Sequence, residues 1–318
     1  MLKIGSTPFR NIVFPYHYIE KNFGNFKARL KFYSAFPPQL GEMVLNEELD
    51  IAPVSSIIYA RHPENFLILP NFSISAKGKT GSIILITKKH PEEISSVCLP
   101  SNSATSVAML KIILKVKGID AKFKISNSSG TFDDNLTDVR IFSKSCDFEN
   151  NLTDVRIFSK SCDFENNLTD VRIFSKSCDF ENCDAALFIG DDGIAAGEKF
   201  KNLNVIDLGE EWNKITSPEK GMVYALWLIN KKSAEEKYKE IKWFSELLTT
   251  SLNYAYKNFE NVMDEVKGNL KRESVKFHIS SLSYNFGKEE TDALLNFYEY
   301  AKRYGIISDV PKLNFLKI

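Results

Sequence analysis

Hydroxyl, amide and carboxylate side chains collected at a few turns are the groups in this sequence best suited to chemistry without a metal. Ser6-Thr7-Pro8-Phe9-Arg10-Asn11 follows the apolar run Leu2–Gly5. Ser103-Ala104-Thr105-Ser106 follows a second apolar run and opens a helical pattern, and Asp191-Asp192 does the same after Ala185–Ile189. At such a place the unspent N–H groups of a helix start and its dipole attract carboxylates or phosphates. Ser and Thr there also read as plain N-caps, and Asp191 reads either as a cap or as a group facing a cleft. A further polar stretch, Ser73-Ile74-Ser75-Ala76-Lys77-Gly78-Lys79-Thr80-Gly81-Ser82, reads as one turn that either holds an anion or is simply solvated. The four histidines, His17, His62, His90 and His278, are remote in sequence from all of these turns. No P-loop, GxGxxG after a strand, HExxH or GxSxG is present. Gly190-Asp191-Asp192-Gly193 lacks the alternating oxygen ligands and terminal Glu of a calcium loop. The five cysteines form no CxxC pair and are expected as thiols, so a metal site is not expected.

The elements that position these turns follow from periodicity. Leu2–Gly5, Arg29–Tyr33, Asp50–Val54, Ser82–Thr87, Val97–Pro100, Lys122–Ile125, Ala185–Ile189 and Asn204–Leu208 read as strands. Pro38–Glu48, Ser103–Lys117 and Asp191–Lys199 read as helices between them, which predicts α/β architecture with sheets covered on both faces. From Ala234 onward the pattern is helical, including Lys237–Asn258 and Lys288–Tyr304. Ser82–Thr87 leaves the first α/β unit and Met222–Ile229 returns to it. The expected layout is a discontinuous lobe of 1–85 plus 225–318, a second lobe of 86–224, and a hinged ligand cleft between them.

A length of 318 residues fits about two domains at roughly 100–200 residues each. Hydrophobic residues at 43% and charged ones at 26% exclude a collagen-like or globally disordered chain. Lys and Arg (41) balance Asp and Glu (41), so no net field gathers nucleic acid or anionic lipid, and neither is expected as a partner. Met222–Ile229 is far shorter than a membrane span, and Lys3, Pro8 and Arg10 interrupt any signal-peptide pattern, from which a cytoplasmic location is expected. One segment, Asn-Leu-Thr-Asp-Val-Arg-Ile-Phe-Ser-Lys-Ser-Cys-Asp-Phe-Glu-Asn, occurs three times unchanged at 135–150, 151–166 and 167–182. Structural repeats keep buried positions and vary the rest, so full identity reads as a recent tandem duplication inserted into the second lobe.

Several runs together resemble the chorismate dehydratase family of the futalosine route to menaquinone. They are Asp50-Ile51-Ala52-Pro53-Val54-Ser55-Ser56 with Tyr59-Ala60, Ile68-Leu69-Pro70 through Ser73-Ile74-Ser75 to Gly81-Ser82, Ser103-Ala104-Thr105-Ser106, Asp184-Ala185-Ala186-Leu187-Phe188-Ile189-Gly190-Asp191, Asp207-Leu208-Gly209-Glu210-Glu211-Trp212 and Ala225-Leu226-Trp227. The resemblance implies a two-lobed, periplasmic-binding-protein-like (type II) α/β fold. It implies loss of water from chorismate to give 3-[(1-carboxyvinyl)oxy]benzoate, with no cofactor and with a substrate carboxylate able to serve as base. It also implies catalytic roles for Ser82 and for an asparagine of the first turn, a place taken here by either Asn11 or Ser6. Ser6, Ser103, Thr105, Ser106 and Asp191 are the expected substrate-binding set. Pro8-Phe9-Arg10-Asn11 is similar to the sister enzyme that makes 1,4-dihydroxy-6-naphthoate, but the histidine of that enzyme is replaced here by Gly190-Asp191-Asp192-Gly193. The family's short link before the return strand is replaced by Thr216-Ser217-Pro218-Glu219-Lys220-Gly221. A non-catalytic intracellular binding protein or sensor for a small carboxylate is the alternative on the same fold.

Overall fold

The computed structural model describes residues 1–125, 180–216 and 220–318. Two of the three repeat copies lie wholly outside those residues. The third, 167–182, is described only at 180–182, and most of the 217–221 link is also outside.

The short, wholly apolar runs become central strands because both of their faces are covered. Ile51–Ser55 (β3) and Ala185–Ile189 (β8) are buried at every position. β3 belongs to a six-stranded sheet with Leu2–Ser6 (β1), Leu30–Ser34 (β2), Phe66–Ala76 (β4), Met222–Asn230 (β10) and Leu282–Ser283 (β11), in the order β11-β4-β10-β3-β1-β2. β8 belongs to a five-stranded sheet with Ile83–Thr87 (β5), Ser96–Leu99 (β6), Lys122–Ile125 (β7) and Asn204–Asp207 (β9), in the order β7-β6-β8-β5-β9. β1 and β3 are parallel neighbours in the first sheet, as β6 and β8 are in the second, and in each a strand connected to the other sheet runs antiparallel beside the later of the two: β10 against β3, and β5 against β8.

The boundaries expected at 85/86 and 224/225 both fall inside strands. The whole of β5 lies in the second sheet and the whole of β10 in the first, so the chain changes sheet at 77–82 and again between Ile215 and Met222. Side chains alternate along β5. Ile83 and Leu85 face a core that continues into Val54 and Leu226 of the first sheet and Ile58 of the helix that follows β3, while Ile84 and Ile86 face a smaller core with Cys98 and Phe188.

Ser73–Ser82 is not one polar turn. Its first part is the end of β4, where Phe72, Ile74 and Ala76 are buried and the serines between them donate to the carbonyls of Asn285 (2.5 Å from Ser73 Oγ) and Ser283 (3.4 Å from Ser75 Oγ). Pro70-Asn71 obscures this strand in the sequence. Asn71 has φ 69°, and β4 and β10 shift register between Leu226 and Leu228, which absorbs the irregularity.

The helices expected at 38–48, 103–117, 191–199, 237–258 and 288–304 are present as Pro37–Leu45 (α2), Ala104–Val116 (α4), Gly190–Lys199 (α5), Tyr238–Lys257 (α8) and Lys288–Arg303 (α11). Ile241, Phe244, Leu248, Ser251, Leu252 and Ala255 form the buried face of α8 at helical spacing. Arg10–Lys21 (α1), Ser56–Arg61 (α3), Leu208–Ile215 (α6), Lys231–Glu236 (α7), Phe259–Val266 (α9) and Arg272–Ser281 (α10) complete the described helices. α1 departs from the expected turn at 6–11. Phe9 stands at its N-cap without a side-chain cap, and Pro15 lies inside it, so neither of the usual start signals marks it. No helix among the described residues is long and apolar enough to cross a membrane.

Candidate functional site

Helices that follow parallel strands start at the carboxyl edge of their sheet, where open α/β sheets place ligands. Here α1 and α3 start from β1 and β3 of the first sheet, and α4 and α5 follow β6 and β8 of the second. Three contacts bring these ends together. The Ser56 hydroxyl of α3 lies 3.3 Å from Thr105 Oγ1 of α4, Phe9 packs on Gly190, and Arg10 of α1 meets Asp191 of α5. Four helix N-termini, two from each sheet, therefore face a common cleft.

On the α4 side the hydroxyls are already engaged. Ser103 caps the helix by accepting from the Ser106 N–H at 3.4 Å and donates to Ser106 Oγ at 2.9 Å. Thr105 Oγ1 accepts from the Ile57 N–H at 3.3 Å, and Ser56 Oγ donates to the Val223 carbonyl at 2.7 Å. Thr105 and Ser56 thus form a buried polar bridge from one sheet to the other.

The α1 side is different. Ser6 Oγ and Asn11 Oδ1 are buried without a hydrogen-bond partner; Asn102 Oδ1, just ahead of the α4 cap, and Tyr224 OH in β10 are unpartnered as well. Unsatisfied buried polar atoms are rare in folded proteins and mark places where a ligand or water completes the set. Arg10 donates its backbone N–H to Asp191 Oδ1 at 3.2 Å, and its Nε lies 3.2 Å from Asp191 Oδ2. That second approach is an ion contact rather than an aligned bond, because Nε has no hydrogen-bond partner. Burial pushes the Asp191 carboxyl above the usual carboxylate range, opposed by the Arg10 charge.

Ser82 occupies the crossing between the sheets and is 3% exposed. Its N–H donates to Thr80 Oγ1 at 3.4 Å, and its carbonyl lies so close to Gly193 of α5 that a Cβ there would collide with it. Gly193 thereby lets the crossing lie directly against the first turn of α5. Asp207, at the end of β9, fixes the same crossing. Its carboxylate accepts from the N–H groups of Gly81 (2.7 Å) and Thr80 (3.1 Å) while capping α6 through Gly209 (2.9 Å) and Glu210 (3.3 Å). Burial pushes the Asp207 carboxyl up, and those four N–H groups oppose the rise. From the other side His278 donates Nδ1–H to the Thr80 carbonyl at 3.0 Å, and burial lowers its pKa to about 4, so the imidazole is neutral.

The structure thus gathers Ser6, Asn11 and Asp191 around one end of the cleft and binds Thr105 into the bridge with Ser56. No hydrogen bond joins Ser82 to Thr105 among the described residues. Ser56, Asn102, Asp207, Tyr224 and His278 are absent from the sequence-derived site. Asp207 carried a signal, an N-cap residue before Leu-Gly-Glu-Glu-Trp, but Tyr224 and His278 carried none. A small apolar cavity lined by Leu85, Pro91, Ile94, Leu110, Ile206 and Leu208 includes none of these polar groups. No group of three His, Cys, Asp or Glu among the described residues is arranged to hold a metal ion.

A family model described as menaquinone biosynthesis matches residues 2–135 and 155–303. A chorismate dehydratase from Thermus thermophilus is 34% identical over 90 residues, a stretch that covers 28% of this chain and 33% of that protein. A crystal structure of a protein from Archaeoglobus fulgidus superposes with a TM-score of 0.66 at 16% identity, covering 96% of this chain and 98% of its own. A Candida albicans protein described as having the generic periplasmic binding protein fold superposes at 0.57 and 13% identity, covering 100% and 98%. The alkanesulfonate-binding protein of Xanthomonas axonopodis pv. citri bound to MOPS superposes at 0.60 and 11% identity, covering 99% and 96%. The fold is therefore of the periplasmic-binding-protein kind.

Proposed function

The chain belongs to the menaquinone-biosynthesis family, and from that premise we propose that it is a chorismate dehydratase, converting chorismate to 3-[(1-carboxyvinyl)oxy]benzoate and water. The observation that carries this reading is the set of unspent polar groups, Ser6 Oγ and Asn11 Oδ1, beside the uncapped start of α1 and the Arg10 guanidinium. Such a place suits a carboxylate, and chorismate brings two.

In the reaction the ring carbon that bears the enolpyruvyl ether loses a proton and its neighbour loses hydroxide. The C–H electron pair forms the new double bond as the C–O bond breaks, and the ring becomes aromatic. The energetic gain of aromatisation leaves the protein the tasks of orientation and charge stabilisation. Ser82 and Asn11 serve as the catalytic pair, supplying hydrogen bonds to the reacting ring face and to charge that develops in the transition state. A substrate carboxylate takes the proton and returns it to the departing hydroxide, which leaves as water. Ser6 adds a hydroxyl on the same side, and the start of α4, whose hydroxyls Ser103, Thr105 and Ser106 are engaged within the protein, contributes its helix dipole toward the second carboxylate. Asp191 acts by orienting a neighbouring donor.

The direct test is incubation of the purified protein with chorismate, following loss of substrate and appearance of the enolpyruvyl benzoate by liquid chromatography. Product formation supports the reading. Tight binding without turnover would instead favour a carboxylate-binding protein on the same fold, and neither binding nor turnover would remove chorismate as the substrate.

A further inference from the structure

We propose that Arg10 is the cation that docks a carboxylate of the substrate, and that Asp191 holds its guanidinium in the cleft until that carboxylate displaces it. The identity of the substrate rests on the dehydratase reading, whereas the docking role rests on the geometry around Arg10.

The contrast with a second arginine is direct. Arg272 and Arg10 have nearly equal side-chain exposure, 27% and 25%. Arg272 spends Nε and Nη2 on hydrogen bonds, with Nε 2.6 Å from Asp264 Oδ1 and Nη2 2.6 Å from Glu260 Oε2 and 3.3 Å from the Glu260 carbonyl. Arg10 has one ion contact at 3.2 Å to Asp191 and a buried Nε without an aligned acceptor. A guanidinium is strongest when two parallel N–H groups meet one carboxylate, an arrangement that Asp191 does not supply because its Oδ1 already accepts the Arg10 backbone N–H.

The surroundings preserve that unspent state. The guanidinium lies against Gly268, which has φ +57°, and a Cβ at that position would collide with Nη2. Any residue other than glycine would push the side chain out of its place. Ser6, fully buried, and Asn11 present unpartnered oxygens on the same turn, so the hydrogen-bonding deficit extends beyond one side chain. Phe9 packs against Phe36 in a tilted pair with ring centroids 5.7 Å apart and covers Gly190, which supplies an apolar wall beside the cation. A carboxylate carried on a flat ring matches both features. Further along α5, Glu198 is engaged by α10, with Lys271 Nζ 3.2 Å from its Oε2 and Ser274 bonded to it, while Asp192 adds a second carboxyl beside Asp191.

The proposal predicts opposite effects for the two members of the pair. By isothermal titration with chorismate, Arg10→Gln should weaken binding by roughly 30-fold or more, the lower range for removing one partner of a desolvated charge pair. Arg10→Lys should fall between Gln and the unsubstituted protein. Asp191→Asn removes the competitor and should leave binding equal or tighten it by roughly 3-fold, about 0.6 kcal/mol by the affinity relation. A pair that serves only to join the two sheets would give weaker binding in both substitutions, and that result overturns the proposal, as does unchanged binding in Arg10→Gln. Isophthalate, a flat ring with two carboxylates, separates this inference from the reaction. If chorismate fails but isophthalate binds and shows the same opposite effects, the dehydratase reading falls and the docking role stands. If the unsubstituted protein binds neither, the docking role falls as well.

Discussion

The first helix of each sheet answers the same structural need in opposite ways. α4 is capped by Ser103, and every side chain from Ala104 to Leu114 is buried, so its polar groups are matched and its apolar ones packed. α1 begins at Phe9 with no side-chain cap and carries four buried polar atoms without hydrogen-bond partners: Arg10 Nε, Asn11 Oδ1, His17 Nδ1 and Glu20 Oε1. A helix that serves only as frame is expected to satisfy its donors and acceptors, and departures concentrate where a ligand is to be met or where stability is given up for function. α4 is the frame of the cleft, and α1 is its reactive side.

The largest expected effect concerns the crossing held between them. Ser82→Ala should lower kcat for chorismate by roughly 10²-fold with little change in KM, as for loss of one hydrogen bond made in the transition state. An unchanged kcat would remove Ser82 from the chemistry. The helix comparison is tested next by a pair of substitutions. Asn11→Ala should impair turnover by roughly 10-fold while leaving the melting temperature unchanged or higher, because it deletes an unsatisfied buried amide. Ser103→Ala should do the reverse, costing about 1 kcal/mol in denaturant titration as a lost N-cap while altering KM by less than roughly 3-fold. If both substitutions act on stability alone, the division between frame and reactive side is wrong.

Glu20 extends the comparison to the far end of α1. Burial raises its pKa to about 8, against 4.5 for the ordinary group. The folded state therefore holds a proton that the unfolded chain releases, and this contribution is intact below about pH 4.5 and lost as pH rises through 8. Glu20→Gln should raise the melting temperature by a few degrees at pH 8.5 and leave it unchanged at pH 4. His278 works with the opposite sign. Its lowered pKa of about 4 means that stability present above pH 6.5 is lost as pH falls toward 4, and His278→Gln should flatten that acid limb in thermal melts. The smallest expected effect is that of removing 151–182, two of the three identical copies. A recent duplication predicts that the shortened chain keeps a melting temperature equal to or higher than that of the full chain, and a loss of several kcal/mol by denaturant titration would show that the copies are structural.

Much of the architecture is legible from local pattern. β1, β3, β5 and β8 are short apolar runs with one stable environment, the middle of a sheet covered on both faces, and α4, α8 and α11 show the spacing of one buried helical face. β4 and α1 are not legible in the same way. In β4, Pro70-Asn71 gives a turn signal that only the register shift against β10 overrides, and α1 lacks a capping residue because its N-terminus is left open toward the cleft.

The sequence by itself determined that polar turns follow apolar strands at Ser6–Asn11, Ser103–Ser106 and Gly190–Asp191, since hydroxyls, amides and glycines at such junctions follow from chain geometry alone. Only the tertiary structure decided which of them still have hydrogen bonds to offer. Ser103, Thr105 and Ser106 look as capable in sequence as Ser6 and Asn11, yet Ser103 and Ser106 bond to each other and Thr105 to a helix on the other sheet. The partners Arg10 and Asp191 stand 181 positions apart, and Asp207 reaches Gly81 across 126. The physical reason is that a side chain's chemistry is local, whereas its hydrogen-bond satisfaction depends on which distant segment folding brings within about 3 Å.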